Sequence, residues 1–425
     1  METNQEIDLT INHLFRQESG KMVSVLVKIF GSENFELVED VVQDALLSAL
    51  ETWKFRGKPQ NPKSWLYKAA KNKAIDIIRR EKHHQNIDFG DPDRKLLTSE
   101  YSLALTMEEL WKDSKIKDDF LGMMYACCHP ALSEENQITF ILKALCGFST
   151  KEIAKAFLTE DQTISKRLYR TKAFFRNSKL KPAIPPPEEL PSRTQAVLET
   201  IYMIFNEGYK STHSDRLIRE DLIAQAMFLC KSLIDNNKAQ LAEPFALISL
   251  MCFHAARSPA RISKSGNLIP LEKQDRSKWN RSLIYEGNKY LNKAAFGQEI
   301  SHYHLEAAIA YEHCIAPNYS STNWKAIVNY YDALLSRNPD PVISLNRCLA
   351  VMEADGPEKA LGVWEKLKQE KILEQYYLYY AAEGEINNRL GNKEKAIAAF
   401  NQAQKLTLSE NEKRFLMDKI ADIQI

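Results

Sequence analysis

The chain has 425 residues, 44% of them hydrophobic, and a formal net charge of +1; it reads as a globular protein with apolar material for two to four domains. No run approaches the roughly 18 consecutive apolar residues of a membrane span. The start, Met1-Glu-Thr-Asn-Gln-Glu-Ile-Asp8, lacks the basic and then apolar pattern of a signal peptide, so no membrane contact and a cytoplasmic location are expected. The seven cysteines, an odd number without paired Cys-x-x-Cys spacing, fit reduced thiols. Cys127, Cys128 and His129 are adjacent on one backbone and cannot easily converge on an ion, and His83 and His84 sit in a charged, solvated stretch, so neither a metal nor a cofactor is expected. No glycine-rich phosphate loop, catalytic triad or paired-carboxylate site is visible, which argues against an enzyme.

The near-zero net charge conceals segregation. Residues 33–51 carry six carboxylates and no Lys or Arg, whereas residues 54–82 carry ten Lys or Arg against Asp76 and Glu81. One face suits a basic protein surface, and its neighbour suits phosphate. Helical periodicity dominates and no convincing alternating strand is found, so the fold class is all-α.

In chain order, a first helical block spans 7–85. Within it, residues 38–51 form an amphipathic helix with Val38, Val41, Val42, Ala45, Leu46 and Ala49 inward and Glu39, Asp40, Gln43 and Asp44 outward. A short loop, Phe55-Arg-Gly-Lys-Pro-Gln-Asn-Pro62, leads into a helix from Lys63 to Arg80 in which basic and aromatic side chains interleave. Cations there would follow a phosphate backbone, and Trp65 or Tyr67 could support unpaired bases by stacking; packing in a core is the other use of each ring. A polar, acidic linker occupies 86–105, and a second block covers 106–181.

The second block ends in a helix, a tight turn and a basic helix between Gly147 and Arg176. Ser149 and Glu152 form a capping box that starts the first of these helices. Ile153, Ala154 and Phe157 face inward, residues 158–160 turn, and Ile164, Leu168 and Ala173 continue the apolar stripe. The opposite face carries Thr163, Ser165, Lys166, Arg167, Tyr169 and Arg170, a set able to reach base edges and phosphates from the major groove. An ordinary helical hairpin with a solvated face would show the same local pattern.

Five prolines between Lys181 and Pro191 make 182–191 a stiff connector. Residues 192–320 are helical and weakly repetitive. From 321 to 425, Lys325-Ala-Ile327, Lys359-Ala-Leu361 and Lys395-Ala-Ile397 recur at 34 and 36 residues, followed by Tyr330, Trp364 and Phe400. Gly384, Gly391, Ala396, Phe400 and Ala403 occupy the small and aromatic positions of tetratricopeptide-like units.

The acidic helix, the Arg-Gly loop, the Trp65-Leu-Tyr67 basic helix ending Ile75-Asp-Ile-Ile-Arg-Arg80, the linker and the helix-turn-helix, in that order, resemble a bacterial sigma-70 factor of the extracytoplasmic-function type. The resemblance extends to a subgroup with a long tetratricopeptide-like C-terminal extension through Cys127-Cys-His-Pro-Ala-Leu132, Ile184–Pro191, Phe205-Asn-Glu-Gly-Tyr209, Asp275-Arg-Ser-Lys-Trp279 and Asp355-Gly-Pro357. It implies that Asp40, Gln43 and Asp44 dock on the clamp helices of the largest subunit of core RNA polymerase, the flap being a second polymerase contact. It further implies that Arg56, Lys58 and Asn61 belong to the loop that captures a flipped base of the minus-ten promoter element, with Trp65, Tyr67, Asn72, Lys73, Asp76, Arg79 and Arg80 beside it. Thr163, Ser165, Lys166, Arg167, Tyr169 and Arg170 would read the minus-thirty-five element. Asp88, Asp91 and Asp93 in the linker would mimic nucleic acid.

Two positions depart from the family pattern. Lys58-Pro-Gln-Asn61 replaces the usual Gly/Asp/Ser-rich loop, and Asp161-Gln162 replaces small residues before the recognition helix. Two other readings share these features: a free-standing helix-turn-helix regulator with a ligand- or protein-sensing helical domain, and a repeat scaffold tethered to DNA. The acidic helix and the basic-aromatic block weigh against a regulator that binds only duplex.

Overall fold

The computed structural model describes residues 4–84, 100–157, 159–178, 183–210, 218–236, 240–263, 267–296, 299–407 and 409–424. Helices account for most of these residues, as the periodicity predicts. The only extended pairing among them is an isolated bridge between Ile262 and Leu268. The contacts divide the chain into two compact units, Met1–Ile204 with Asp235–Gln240, and Phe205–Ile234 with Leu241–Ile425.

The first unit contains α1 (Asn4–Phe30), α2 (Phe35–Arg56), α3 (Pro62–His84), α4 (Glu100–Leu110), α5 (Asp113–Cys127), α6 (Glu134–Ala144), α7 (Thr150–Ala156), α8 (Asp161–Asn177) and the first part of α9 (Leu190–Tyr209). The inward face of α2 is Phe35, Val38, Val41, Val42, Ala45, Leu46, Ala49 and Trp53, the expected stripe extended by one aromatic residue at each end. Helix α3 buries Leu66, Tyr67, Ala70, Ala74, Ile77 and Ile78. Residues 100–105, expected to be linker, already belong to α4, whose Met107 is fully buried. The linker carboxylates Asp88, Asp91 and Asp93 lie outside the described residues, as do the side chains of His83 and His84.

The two blocks recognised in the sequence share one core. Phe35 at the start of α2 packs against Phe140 of α6 and Phe175 of α8, with ring centroids 5.0 and 6.4 Å away, and Phe140 and Phe175 stack at 4.6 Å. Helix α1 runs against α5, and a Cβ on its Gly20 would overlap the backbone of Leu145, so glycine is required for that approach. Beyond the Pro-rich connector, Thr194 meets the Tyr125 hydroxyl at 3.2 Å and Arg193 donates to the Tyr125 carbonyl at 3.4 Å. The first unit thus runs past the connector into α9.

The second unit continues with α10 (Glu220–Asp235), α11 (Glu243–Arg257), α12 (Arg281–Ala294), α13 (His302–Ile315), α14 (Trp324–Arg337), α15 (Pro341–Asp355), α16 (Pro357–Lys366), α17 (Tyr377–Arg389), α18 (Lys393–Leu406) and α19 (Glu410–Gln424). From α13 onward each helix packs on the next. Ala360 and Ala396 are fully buried, with Trp364 and Phe400 nearly so. Trp364 stacks on Tyr379 at 5.0 Å. A Cβ on Gly384 would come within 2.6 Å of the Phe400 ring, which accounts for glycine at that helix crossing. In the first of the three expected units, burial falls on Ile327 rather than Ala326, and Tyr330 is only half-buried, so its register is one residue out of step with the expected pattern.

Candidate nucleic-acid interface

The acidic face of α2 is only partly free. Asp40 and Gln43 are exposed, whereas Asp44 pairs with Lys73 of α3 at 2.6 Å. Glu39 accepts from Lys172 of α8 at 2.6 Å and Glu36 from Arg176 at 2.5 Å. The chain's own basic helix therefore covers the N-terminal part of this face.

Helix α2 ends where the Gly57 N–H donates to the Trp53 carbonyl at 2.9 Å. Arg56, Lys58 and Asn61 are exposed in the loop. Asn61 also holds the next helix: its Oδ1 accepts from the Ser64 N–H at 3.0 Å, and Pro62 opens α3 where a missing N–H costs nothing. Asn72, Lys73, Asp76, Arg79 and Arg80 project from the outer face of α3. A groove of about 430 Å³ runs between α2 and α3, lined by Asp44, Trp65, Lys68, Asn72, Lys73 and Asp76 among others. Trp65 is half-buried and stands edge-on to Trp53 at 5.5 Å.

Tyr67 does not fit its expected role. Its side chain is buried, its hydroxyl donates to Glu18 Oε2 at 2.5 Å, and its ring lies 5.4 Å from Trp111. Burial, reinforced by the Glu18 carboxylate, pushes the phenol well above its ordinary range. An aromatic ring on the inward arc of α3 was drawn into the core. The ring that does stand free is Phe55, 91% exposed beside Arg56; its place at the helix end was the available signal.

The helix-turn-helix forms as its capping box predicts. The Ser149 hydroxyl accepts from the Glu152 N–H at 3.2 Å, and the Glu152 carboxylate accepts from the Ser149 N–H at 2.7 Å. Arg16 of α1 adds an ion pair to Glu152 at 2.7 Å. Burial works to raise the Glu152 pKa, but Arg16 and the Ser149 donors outweigh it and hold the carboxyl at about 2. On α8 the buried stripe is Ile164, Leu168, Thr171 and Phe175; Ala173, expected inward, is half-buried. Thr171 enters the core because its hydroxyl bonds to the Arg167 carbonyl at 2.9 Å.

Ser165, Lys166, Tyr169 and Arg170 share the exposed face, with Tyr169 76% exposed. Thr163 is half-buried. Arg167 is turned aside, donating to Glu135 at 2.5 Å and lying 5.1 Å over the Phe157 ring. Asp161 and Gln162 are exposed at the start of α8, where the carboxylate complements the helix dipole. Among the described residues no group of His, Cys, Asp and Glu side chains is arranged to hold a metal, and no helix is long and apolar enough to cross a membrane.

Comparison with known proteins identifies both blocks. Residues 14–84 match the model of sigma-70 region 2, and residues 122–175 match sigma-70, region 4. Residues 193–295 match a family of unknown function, DUF6596. An uncharacterized protein of Rhizobium meliloti is 31% identical over 383 residues, covering 90% of this chain and 89% of that protein. No solved structure matches the chain. The matches to sigma-70 regions 2 and 4 mark a promoter-specificity subunit of RNA polymerase. The chain belongs to the sigma-70 family, as a sigma factor of the extracytoplasmic-function type that carries a C-terminal extension.

Proposed function

We propose that Asp40, Gln43 and Asp44 dock this sigma factor on the clamp helices of the largest polymerase subunit, and that the groove between α2 and α3 receives the minus-ten element. Arg56, Lys58, Asn61 and Phe55 surround a base extruded from the duplex. Asn72, Lys73, Asp76, Arg79 and Arg80 line the adjoining strand, with Trp65 at the edge of the groove. Extrusion costs a few kcal/mol of stacking, which these cationic and aromatic neighbours offset. Ser165, Lys166, Tyr169 and Arg170 read the minus-thirty-five element, while Thr163 sits near the phosphates and Arg167 braces α8. The factor acts in the cytoplasm and performs no chemistry of its own.

The observation that carries this reading is the groove: two successive helices, α2 and α3, bring Asp44, Trp65, Asn72, Lys73 and Asp76 onto one surface. A regulator that binds only duplex has no use for it. Permanganate probing of a promoter bound by the reconstituted holoenzyme tests the assignment. Thymines in the minus-ten element should become reactive, and the Arg56→Ala variant should leave them protected although the enzyme remains bound. Reactivity that does not change in Arg56→Ala removes the loop from the mechanism.

The extension regulates the factor or contacts a partner, and its final helix pairs are tetratricopeptide-like. The small-and-aromatic pattern of Ala360 with Trp364 and of Ala396 with Phe400 supports that reading, because it lets paired helices stack and leave one surface open. Truncation after Pro191 would remove the stretch of α9 that belongs to the first unit, so deletion after Tyr209, where α9 ends, is the appropriate test. Unchanged transcription in cells and in vitro would remove the regulatory role.

A further inference from the structure

The second unit buries positive charge without a counter-charge. Arg257, at the end of α11, is 8% exposed. Its Nη2 donates to the Tyr209 hydroxyl at 3.1 Å and contacts Nδ1 of His254 at 2.9 Å. Its Nε is buried with no hydrogen-bond partner. Arg261, one turn further on, lies 3.7 Å over the Tyr209 ring and donates to the Tyr209 carbonyl at 2.5 Å. Among the described residues neither guanidinium has a carboxylate within ion-pairing distance. The nearby imidazoles do not supply a charge of either sign: burial, aided by Arg257 and its arginine neighbours, holds His254 well below the usual histidine range and His313 at about 3.

A buried guanidinium and a half-buried one beside it, with only neutral partners, are costly unless something anionic completes them. Both line a cavity of about 380 Å³, within the usual size range of small-molecule sites. The site is built rather than incidental. Arg261 is fixed by a short backbone hairpin, its carbonyl accepting from the Ile269 N–H at 2.8 Å, and that hairpin supplies one cavity wall. Gln274 donates to the Ile269 carbonyl at 3.0 Å while its own Oε1 is buried without a partner. The rest is mostly hydrocarbon, from Leu268, Pro270, Leu378, Phe415 and Leu416. The one carboxylate in the lining, Glu412, is already engaged by the Tyr377 hydroxyl at 2.5 Å, by the Thr407 hydroxyl, and by Lys210 at 3.5 Å.

We propose that this cavity binds a small organic carboxylate, its oxygens on Arg257 and Arg261 and its apolar body against the hairpin and α19. The planar guanidinium forks match a carboxylate, and the hydrocarbon wall favours an anion with an apolar body over a free phosphate. A ligand so placed ties the Arg261 hairpin to the last helices of the chain, which gives the extension a small-molecule input. The site stands independently of the promoter reading, since its test involves neither polymerase nor DNA.

The test is calorimetric titration of the full chain with phenylacetate, with its uncharged counterpart phenylacetamide and with inorganic phosphate. Phenylacetate should bind saturably with one site per chain, at least tenfold more tightly than either of the others. Arg261→Gln should weaken it at least tenfold. Ala381→Phe, which fills the cavity and leaves both arginines in place, should do the same, and each variant should keep the far-ultraviolet circular dichroism of the parent. Absence of saturable phenylacetate binding, equal binding of the amide, equal or tighter binding of phosphate, or full binding by the folded variants would each overturn the proposal.

Discussion

Lys172 of the recognition helix donates to Glu39 of the acidic helix at 2.6 Å, one residue from Asp40. The helix proposed to read one promoter element is thereby tied to the face proposed to dock on polymerase. The first unit holds about 210 residues; a compact body of that size has a radius of gyration of about 17 Å, or a diameter of roughly 45 Å. Promoter elements centred about 25 base pairs apart are separated by roughly 85 Å of duplex. On the proposed assignments both cannot be reached from this arrangement, so regions 2 and 4 would have to separate for the factor to work.

Gly20 offers a way to force that separation without touching either reading face. A methyl group there meets the backbone of Leu145, while alanine is the better helix former. In Gly20→Ala, fluorophores at the exposed positions Leu47 and Lys151 should move apart, with helical content unchanged. Identical energy transfer in parent and variant would show that the two regions are not held by this contact.

The depressed pKa of Glu152 makes the helix-turn-helix sensitive to acid. A glutamate held at about 2 in the folded state, against an ordinary value of 4.5, contributes stability that is fully present above about pH 4.5. That contribution is lost as pH falls toward 2. After allowance for solvent screening it amounts to about 1 to 2 kcal/mol. Glu152→Gln should lower stability at neutral pH by that amount and flatten the stability profile between pH 5 and 2. Parallel profiles for the two proteins, measured by urea unfolding, would contradict the assignment.

Arg170 and Arg167 stand one helical turn apart and should behave differently. Arg170→Ala should weaken binding to cognate promoters by about 1 to 3 kcal/mol and relax specificity at one position. Arg167→Ala should chiefly lower the melting temperature, because Arg167 is spent on Glu135 and Phe157. Competition binding against randomised minus-thirty-five sequences, alongside thermal unfolding, separates the two; an equal loss on all sequences would make Arg170 a phosphate contact.

Tyr67→Phe should destabilise the first unit by about 1 to 3 kcal/mol, since it leaves the buried Glu18 without its hydroxyl donor. Promoter opening by the folded fraction should be unchanged, whereas Phe55→Ala should slow it. A reversed pattern in a stopped-flow opening assay would return Tyr67 to the DNA.

Local chemistry explains which of these features can be read from the chain. The Ser149–Glu152 box and the inward stripe of α2 depend on residues within a few positions of one another, and both form as expected. The α8 stripe goes astray at Ala173 because hydrophobicity alone hides that Thr171 can satisfy its hydroxyl within its own helix. Interleaved basic and aromatic residues on α3 leave both uses of each ring open, so the pattern does not show that Tyr67 turns inward or that Phe55, at the end of α2, stands out. The packing of Phe35 on Phe140 and Phe175, and the gathering of Tyr209, Arg257 and His313, join residues up to 140 positions apart. No periodicity encodes such contacts.

Run-off transcription with purified core polymerase tests the central claim most directly. The full chain should direct promoter-dependent transcripts, and an Asp40→Ala, Gln43→Ala double variant should lose them by at least tenfold while remaining folded. Absence of any promoter-dependent transcript from the native factor, or undiminished transcription by the double variant, would contradict the account.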